Sequence, residues 1–159
     1  MDQTIAQAID GAKRGHERLL KTFTETPDDK INFAPSATSR SAHDIVVHIA
    51  QSNKFMSKSI CGESLPAAGS LEDFDKFMKE ASAGITTRAQ ALAILDESMS
   101  ELMSALECLT PADLGKEVVL PFATLPLAFF IFVPGMHMGN HASQIDYIQT
   151  IYGDMANHM

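Results

Sequence analysis

Leu92, Leu95, Met99, Leu102, Leu106 and Leu109 recur at intervals of three and four, with no polar residue interrupting the stripe. An α-helix turns once every 3.6 residues, so this spacing gathers the side chains on one face, whereas a strand would split them between two. Such a stripe has to be buried against other helices, because most of a helix's stability in water comes from packing its apolar face. Just upstream, Thr87-x-x-Gln90 has the pattern of a capping box, in which two side chains satisfy backbone N–H groups of the first turn. The segment predicts a helix with a purely structural role.

Three further segments have helical periodicity. Residues 3–24 place Ile5, Ile9, Ala12, His16, Leu19 or Leu20, and Phe23 on one stripe, with Lys13, Arg14, Glu17, Arg18 and Lys21 largely elsewhere. Pro27 ends this helix, and residues 27–40 read as an irregular connection. Ser41 is a good N-cap for a second helix, and Asp44 favours its positive end. That helix runs to about Ile60, buries Ile45, His48, Ile49, Ser52, Phe55 and Met56, and closes at Cys61-Gly62. Residues 62–85 form a long connection containing a short helix, capped by Ser70, with Leu71, Phe74, Phe77, Met78 and Ala81 on its apolar side. A connection of this length crosses the end of a bundle, so the second and third long helices need not be antiparallel neighbours. Lys116 to Phe122 reads as extended. The fourth long helix is predicted from near Thr124 to Tyr152, bent by Pro134 and stopped by Gly153. Its first half is apolar all round, which predicts a homodimer contact. These elements predict an all-α four-helix bundle, one domain over residues 1–159.

The charge balance excludes some partners. Net charge is −8 and no basic cluster appears, so nucleic acid is not an expected ligand. The longest apolar run, Leu125 to Met136, is too short and too broken by Pro126, Pro134 and Gly135 to span a bilayer. The first residues lack the basic start and apolar core of a signal peptide. Cys61 and Cys108 form no CxxC or Cys/His spacing and read as free thiols in a reducing compartment. The expectation is a soluble, cytoplasmic protein.

The chemistry lies in His137-x-x-x-His141. Residues one helical turn apart share a face, their Cβ atoms roughly 6 Å apart. The face is the apolar one: Phe130, Val133, His137, His141, Gln144, Ile148 and Ile151 follow at three-four spacing. His48 on the second helix is a third inward histidine. A buried polar group without a partner costs on the order of 1–3 kcal/mol, so these side chains need something to satisfy them. Neutral imidazole is a common ligand for zinc, nickel, iron and manganese, and three protein ligands leave a coordination position open, as catalytic sites do. Hydrogen-bonded core histidines without metal are the alternative. His16, also inward, is a candidate fourth ligand, pocket residue or plain core residue; His43 and His158 are expected to face solvent. No Glu follows His137, and no Glu-x-x-His or CxxCH occurs, which removes zinc-protease, di-iron carboxylate and covalent haem chemistry.

Ser41-Ala-His-Asp-Ile-Val-Val-His48-Ile-Ala, followed about ninety residues later by His137-x-x-x-His141-x-x-Gln144, resembles the DinB-like (DinB/YfiT) superfamily across nearly the whole chain. The resemblance implies an up-down-down-up bundle, often dimeric, with one divalent metal held by His48, His137 and His141, zinc or nickel first and iron or manganese next. An Arg that often follows the last histidine, and that binds an anionic substrate in some members, is Ala142 here. The resemblance further implies a metal-dependent enzyme, a thiol S-transferase using a low-molecular-weight thiol or a small-molecule hydrolase. The alternative is a non-catalytic stress-response or small-ligand-binding bundle with a structural or vestigial metal. Asp44 and Asp146 are candidates to orient ligands, Gln144 to orient a ligand or substrate, and Phe55 with Met56 to line the pocket.

Overall fold

Asp2 starts the first helix, α1 (Gln3–Glu25), by accepting from the N–H groups of Thr4 at 2.8 Å and Ile5 at 3.4 Å. The structure, a computed structural model, describes residues 2–63, 71–120 and 123–158. It continues with α2 (Ala42–Ile60), the short α3 (Leu71–Ala81) and α4 (Arg88–Glu107). A 3-10 turn (Pro111–Gly115) leads into strands β1 (Glu117–Leu120) and β2 (Ala123–Pro126), then α5 (Leu127–Phe130) and α6 (Val133–Ile151). Ser70 as a cap and Phe122 as the end of the extended stretch lie outside the described residues. Capping boxes open α2 with Ser41 and Asp44 and α4 with Thr87 and Gln90.

Side-chain pairings fix the directions of the four long helices. Gly15 of α1 meets Gly135 of α6, and farther along Thr22 and Thr26 meet Gln149, so α1 and α6 run parallel. His48 of α2 faces His137 and Asn53 reaches Met138, while His48 also stands beside His141, so α2 runs antiparallel to α6. The guanidinium of Arg88, which opens α4, donates to the carbonyls of Phe23 at 2.8 Å and of Thr26, at the end of α1. Since α4 leads away from there alongside α1, it runs down as α1 runs up. The result is an up-down-down-up four-helix bundle, with α3 in the crossover that lets α2 and α4 lie parallel.

The core lies between these helices. Ile5, Leu19, Ile45, Leu95, Leu102 and Ile145 are among its fully buried side chains. The crossing of α1 and α6 is set by glycines. A Cβ on Gly135 would stand 2.7 Å from the backbone of Gly11, and one on Gly15 would stand 2.5 Å from the Gly135 carbonyl. No side chain fits there, so the two backbones approach as closely as helices can.

Several expectations need correction. The fourth helix does not begin near Thr124: residues 123–126 pair antiparallel with β1, Val118 opposite Leu125 and Leu120 opposite Ala123. Pro126 disfavours helix at Leu125, and β-branched Thr124 suits a strand. Pro134 does more than bend the helix. It has no N–H to donate to residue 130, so the chain breaks after α5 and restarts with Pro134 in the first turn of α6. His43 is 5% exposed rather than solvent-facing, because the irregular connection folds back onto it and its N–H donates to the Ile31 carbonyl at 2.9 Å. His158 is half-buried, its Nε2 2.9 Å from Asp154. Phe77, Gln144 and Ile151 are exposed. For Gln144 and Ile151 the reason is that the inward stripe of α6 centres on Met138, Ala142, Ile145 and Gln149, leaving the His137–Gln144 edge at its margin. No described helix is long and apolar enough to cross a membrane.

Candidate metal centre

His137 and His141 stand one turn apart at that margin, and the antiparallel pairing of α2 with α6 brings His48 against them. The Nε2 atoms converge: His48 to His137 is 3.3 Å and His141 to His137 is 3.1 Å. The ring centroids lie 4.6–5.2 Å apart with planes steeply inclined, so nitrogens rather than ring faces point at a common centre. Two imidazoles bound to one ion at about 2.0–2.1 Å have nitrogens about 2.9–3.4 Å apart, depending on the angle at the ion. The spacing found is the spacing a shared ion requires.

Proton bookkeeping sharpens this point. Each neutral imidazole has one N–H and one lone pair. His141 Nδ1 lies 2.7 Å from Gln144 Oε1, which can only accept, so the proton sits on Nδ1 and Nε2 presents a lone pair. If His137 Nε2 carries a proton it can donate to His141, and His48 then faces an N–H already committed. If His137 Nε2 is a lone pair, it faces the lone pair of His141. One N–H shared between two lone pairs satisfies neither contact fully; a cation at the centre would meet all three lone pairs.

Protonation points the same way. Burial, aided by the Arg40 charge and the other two imidazoles, pushes His48 down to about 3. Burial pushes His137 down to about 4, with His141 and Arg40 adding to it. Burial also lowers His141, opposed by the Gln144 hydrogen bond and reinforced by Arg40. All three are therefore neutral near pH 7, the form that binds a metal. His48 and His137 are only half-buried and His141 is 7% exposed, so the centre is reachable from outside.

The other candidates fall elsewhere. His16 is half-buried with Nδ1 unpartnered; burial lowers its pKa, opposed by the charges of Asp96 and Glu17, and it is not part of the histidine cluster. Asp44 accepts from the Ser41 N–H at 3.1 Å and hydroxyl at 2.8 Å, so its carboxylate serves the N-cap, and its nearest imidazole is His43. Asp146 buries Oδ1 without a partner. Phe55 packs edge-on against Phe74 at 4.8 Å, in the core, with Met56 also buried.

A cavity of about 580 Å³ adjoins His48, lined in part by Arg40, His43 and Lys79. Sequence periodicity did not single out these residues as part of a site: Arg40 lies in the irregular connection, Lys79 on the short α3, and His43 was read as exposed.

The fold and site define a class first: an up-down-down-up helical bundle with a three-histidine centre open to a cavity. Within that class, the chain belongs to the DinB superfamily, whose profile matches residues 12–145. The fold is similar to a mutant of the mycothiol-dependent maleylpyruvate isomerase, with TM-score 0.74 and 12% identity, covering 91% of this chain. This chain spans 63% of that protein's length. It is also similar to YfiT from Bacillus subtilis, described as a probable metal-dependent hydrolase with an unusual four-helix bundle topology, at TM-score 0.71 and 16% identity over 96% of this chain and 90% of that one. A DinB-like protein of Bacillus subtilis, YjoA, aligns with TM-score 0.62 and 17% identity over 98% and 95% of the two chains. No curated protein matches the sequence.

Proposed function

We propose that His48, His137 and His141 hold one divalent metal ion and that the protein is a metal-dependent enzyme acting on a small molecule. Transfer or addition of a low-molecular-weight thiol is the leading chemistry, and hydrolysis the next. The observation that carries the reading is the convergence of three Nε2 atoms at 3.1 and 3.3 Å, with His141 committed by Gln144 to present a lone pair. An all-imidazole set favours zinc or nickel, with iron and manganese also compatible. Bound there, a divalent ion acts as a Lewis acid that lowers the pKa of a thiol or water, giving a nucleophile at neutral pH.

The chain's own residues do the rest. Gln144 holds the tautomer and ring orientation of His141. Burial keeps the imidazoles unprotonated, and half-burial of His48 and His137 leaves the substrate a way in. The thiol dependence of the isomerase neighbour and the description of YfiT support the two reaction types. Exposed Met136, Tyr147 and Ile151 along α6 support a homodimer, which sedimentation would check.

The test is thiol-dependent consumption of small electrophiles, and hydrolysis of small esters and amides, by metal-loaded protein. His48→Ala, His137→Ala and His141→Ala are expected to lower turnover at least about a hundredfold while circular dichroism stays that of a folded bundle. Full activity in a metal-free triple variant would contradict the reading.

A further inference from the structure

The cavity beside His48 has an unusual charge balance for this chain. Net charge is −8, yet the lining holds two cations, Arg40 and Lys79. Among the described residues neither side chain makes a salt bridge or hydrogen bond. Asp44, the one carboxylate of the lining among the described residues, is held by the Ser41 N–H and hydroxyl. The rest of the wall includes Val47, Phe74, Met78 and Ile85, a low-dielectric surface that strengthens the pull of the two cations on an anion. His43 also lines the cavity, but its side chain is 6% exposed and its Nε2 is closed off from solvent, so it forms wall rather than a partner for the acid.

We infer that this cavity binds the carboxylate end of a small organic acid, with Arg40 and Lys79 as its counter-charges and the apolar wall receiving its hydrocarbon body. A planar guanidinium matches a carboxylate with two parallel N–H···O bonds. With Asp44 in the same wall, the two cations leave one net positive charge among the described lining residues, which suits a monoanionic group on a hydrocarbon body better than a phosphate dianion. The volume is that of a small-molecule site. With His48 in the wall, the acid's far end lies beside the histidine cluster. The inference deepens the metal-enzyme reading by naming a substrate class, and rests on it only for the claim that the bound acid reacts.

The test is calorimetric titration of the full chain, as purified, with butyrate, its neutral amide butyramide, and inorganic phosphate. Butyrate is expected to bind, and butyramide at least tenfold more weakly. Arg40→Gln and Lys79→Gln are each expected to weaken butyrate about tenfold, with metal content per chain unchanged. Lys13→Gln, a charge change on exposed α1 surface, should leave it within twofold. His137→Ala separates the two readings: it should keep butyrate binding within about threefold even though it removes a proposed metal ligand. No detectable butyrate binding to the wild type would overturn the inference. So would loss in His137→Ala with none in Arg40→Gln and Lys79→Gln, which would place the carboxylate on the metal. Phosphate binding tighter than butyrate and lost in the same two variants would overturn the carboxylate assignment.

Discussion

Helix α6 buries polar groups in two places, and the two are built on opposite rules. Toward its C-terminal end, Gln149 is 1% exposed and its amide is matched to α1: Nε2 donates to the Thr22 carbonyl and the Thr26 hydroxyl, both at 3.0 Å, and Oε1 accepts from the Thr22 hydroxyl at 3.3 Å. Two to three turns earlier, His137 and His141 point nitrogens at each other and at His48 in a pattern that one shared N–H satisfies only in part. The glutamine is closed by the protein itself and pins α6 to α1. The histidines stay open on the side of α2 and the cavity. One buried polar cluster is closed within the bundle, and the other has lone pairs that the bundle leaves without a full partner.

That contrast can be broken from either side. The largest effect is expected where α1 and α6 touch by backbone. Gly135→Ala places a Cβ 2.7 Å from Gly11 and should cost about 3 kcal/mol of stability, read from urea unfolding, despite alanine's better helix propensity. A stability unchanged within error would mean the helices do not pack this closely. Next, if the histidine cluster holds metal, chelation should lower unfolding stability by about 2.7 kcal/mol, starting from free metal at a hundred times its Kd. The His137→Ala variant should show no response to chelator. Gln149→Leu, which removes the three hydrogen bonds to Thr22 and Thr26 but keeps the Thr26 hydroxyl on the Thr22 carbonyl, should cost about 2 kcal/mol and leave metal content intact. Loss of metal in that variant would erase the distinction between the two clusters.

A further effect is expected from pH, on metal-free protein. His48, His137 and His141 are all lowered in the folded state relative to an ordinary histidine. The unfolded chain therefore takes up protons first as pH drops below about 6.5, and folding is weakened progressively until the values of about 3 for His48 and about 4 for His137 are passed. Urea midpoints of the apo protein should fall between pH 7 and 5, with a shallower slope in His48→Ala. An equal slope in that variant would mean other groups carry the dependence.

The sequence made much of this legible, for physical reasons that also explain what it hid. The stripe from Leu92 to Leu109, the capping boxes at Ser41 and Thr87, and the His137/His141 pair are local patterns, set by residues within one or two turns of each other. The hairpin of β1 and β2 was hidden because Leu125 to Phe132 is apolar whichever secondary structure it adopts, and only pairing with Val118 and its neighbours decides it. Gln149 was missed because its partners are more than a hundred residues away, and Ile148, one step along, carried the expected stripe. Arg40 and Lys79 look like ordinary surface cations until α3 folds over the start of α2. Burial of His43 likewise depends on a connection whose path periodicity does not predict.

The most direct measurement is metal content by elemental mass spectrometry, on protein purified without chelator or histidine tag, for wild type, His137→Ala and Gln149→Leu. The account predicts about one divalent ion per chain in the wild type and in Gln149→Leu, and none in His137→Ala. A wild type without stoichiometric metal after reconstitution, or one whose metal survives in His137→Ala, would contradict it.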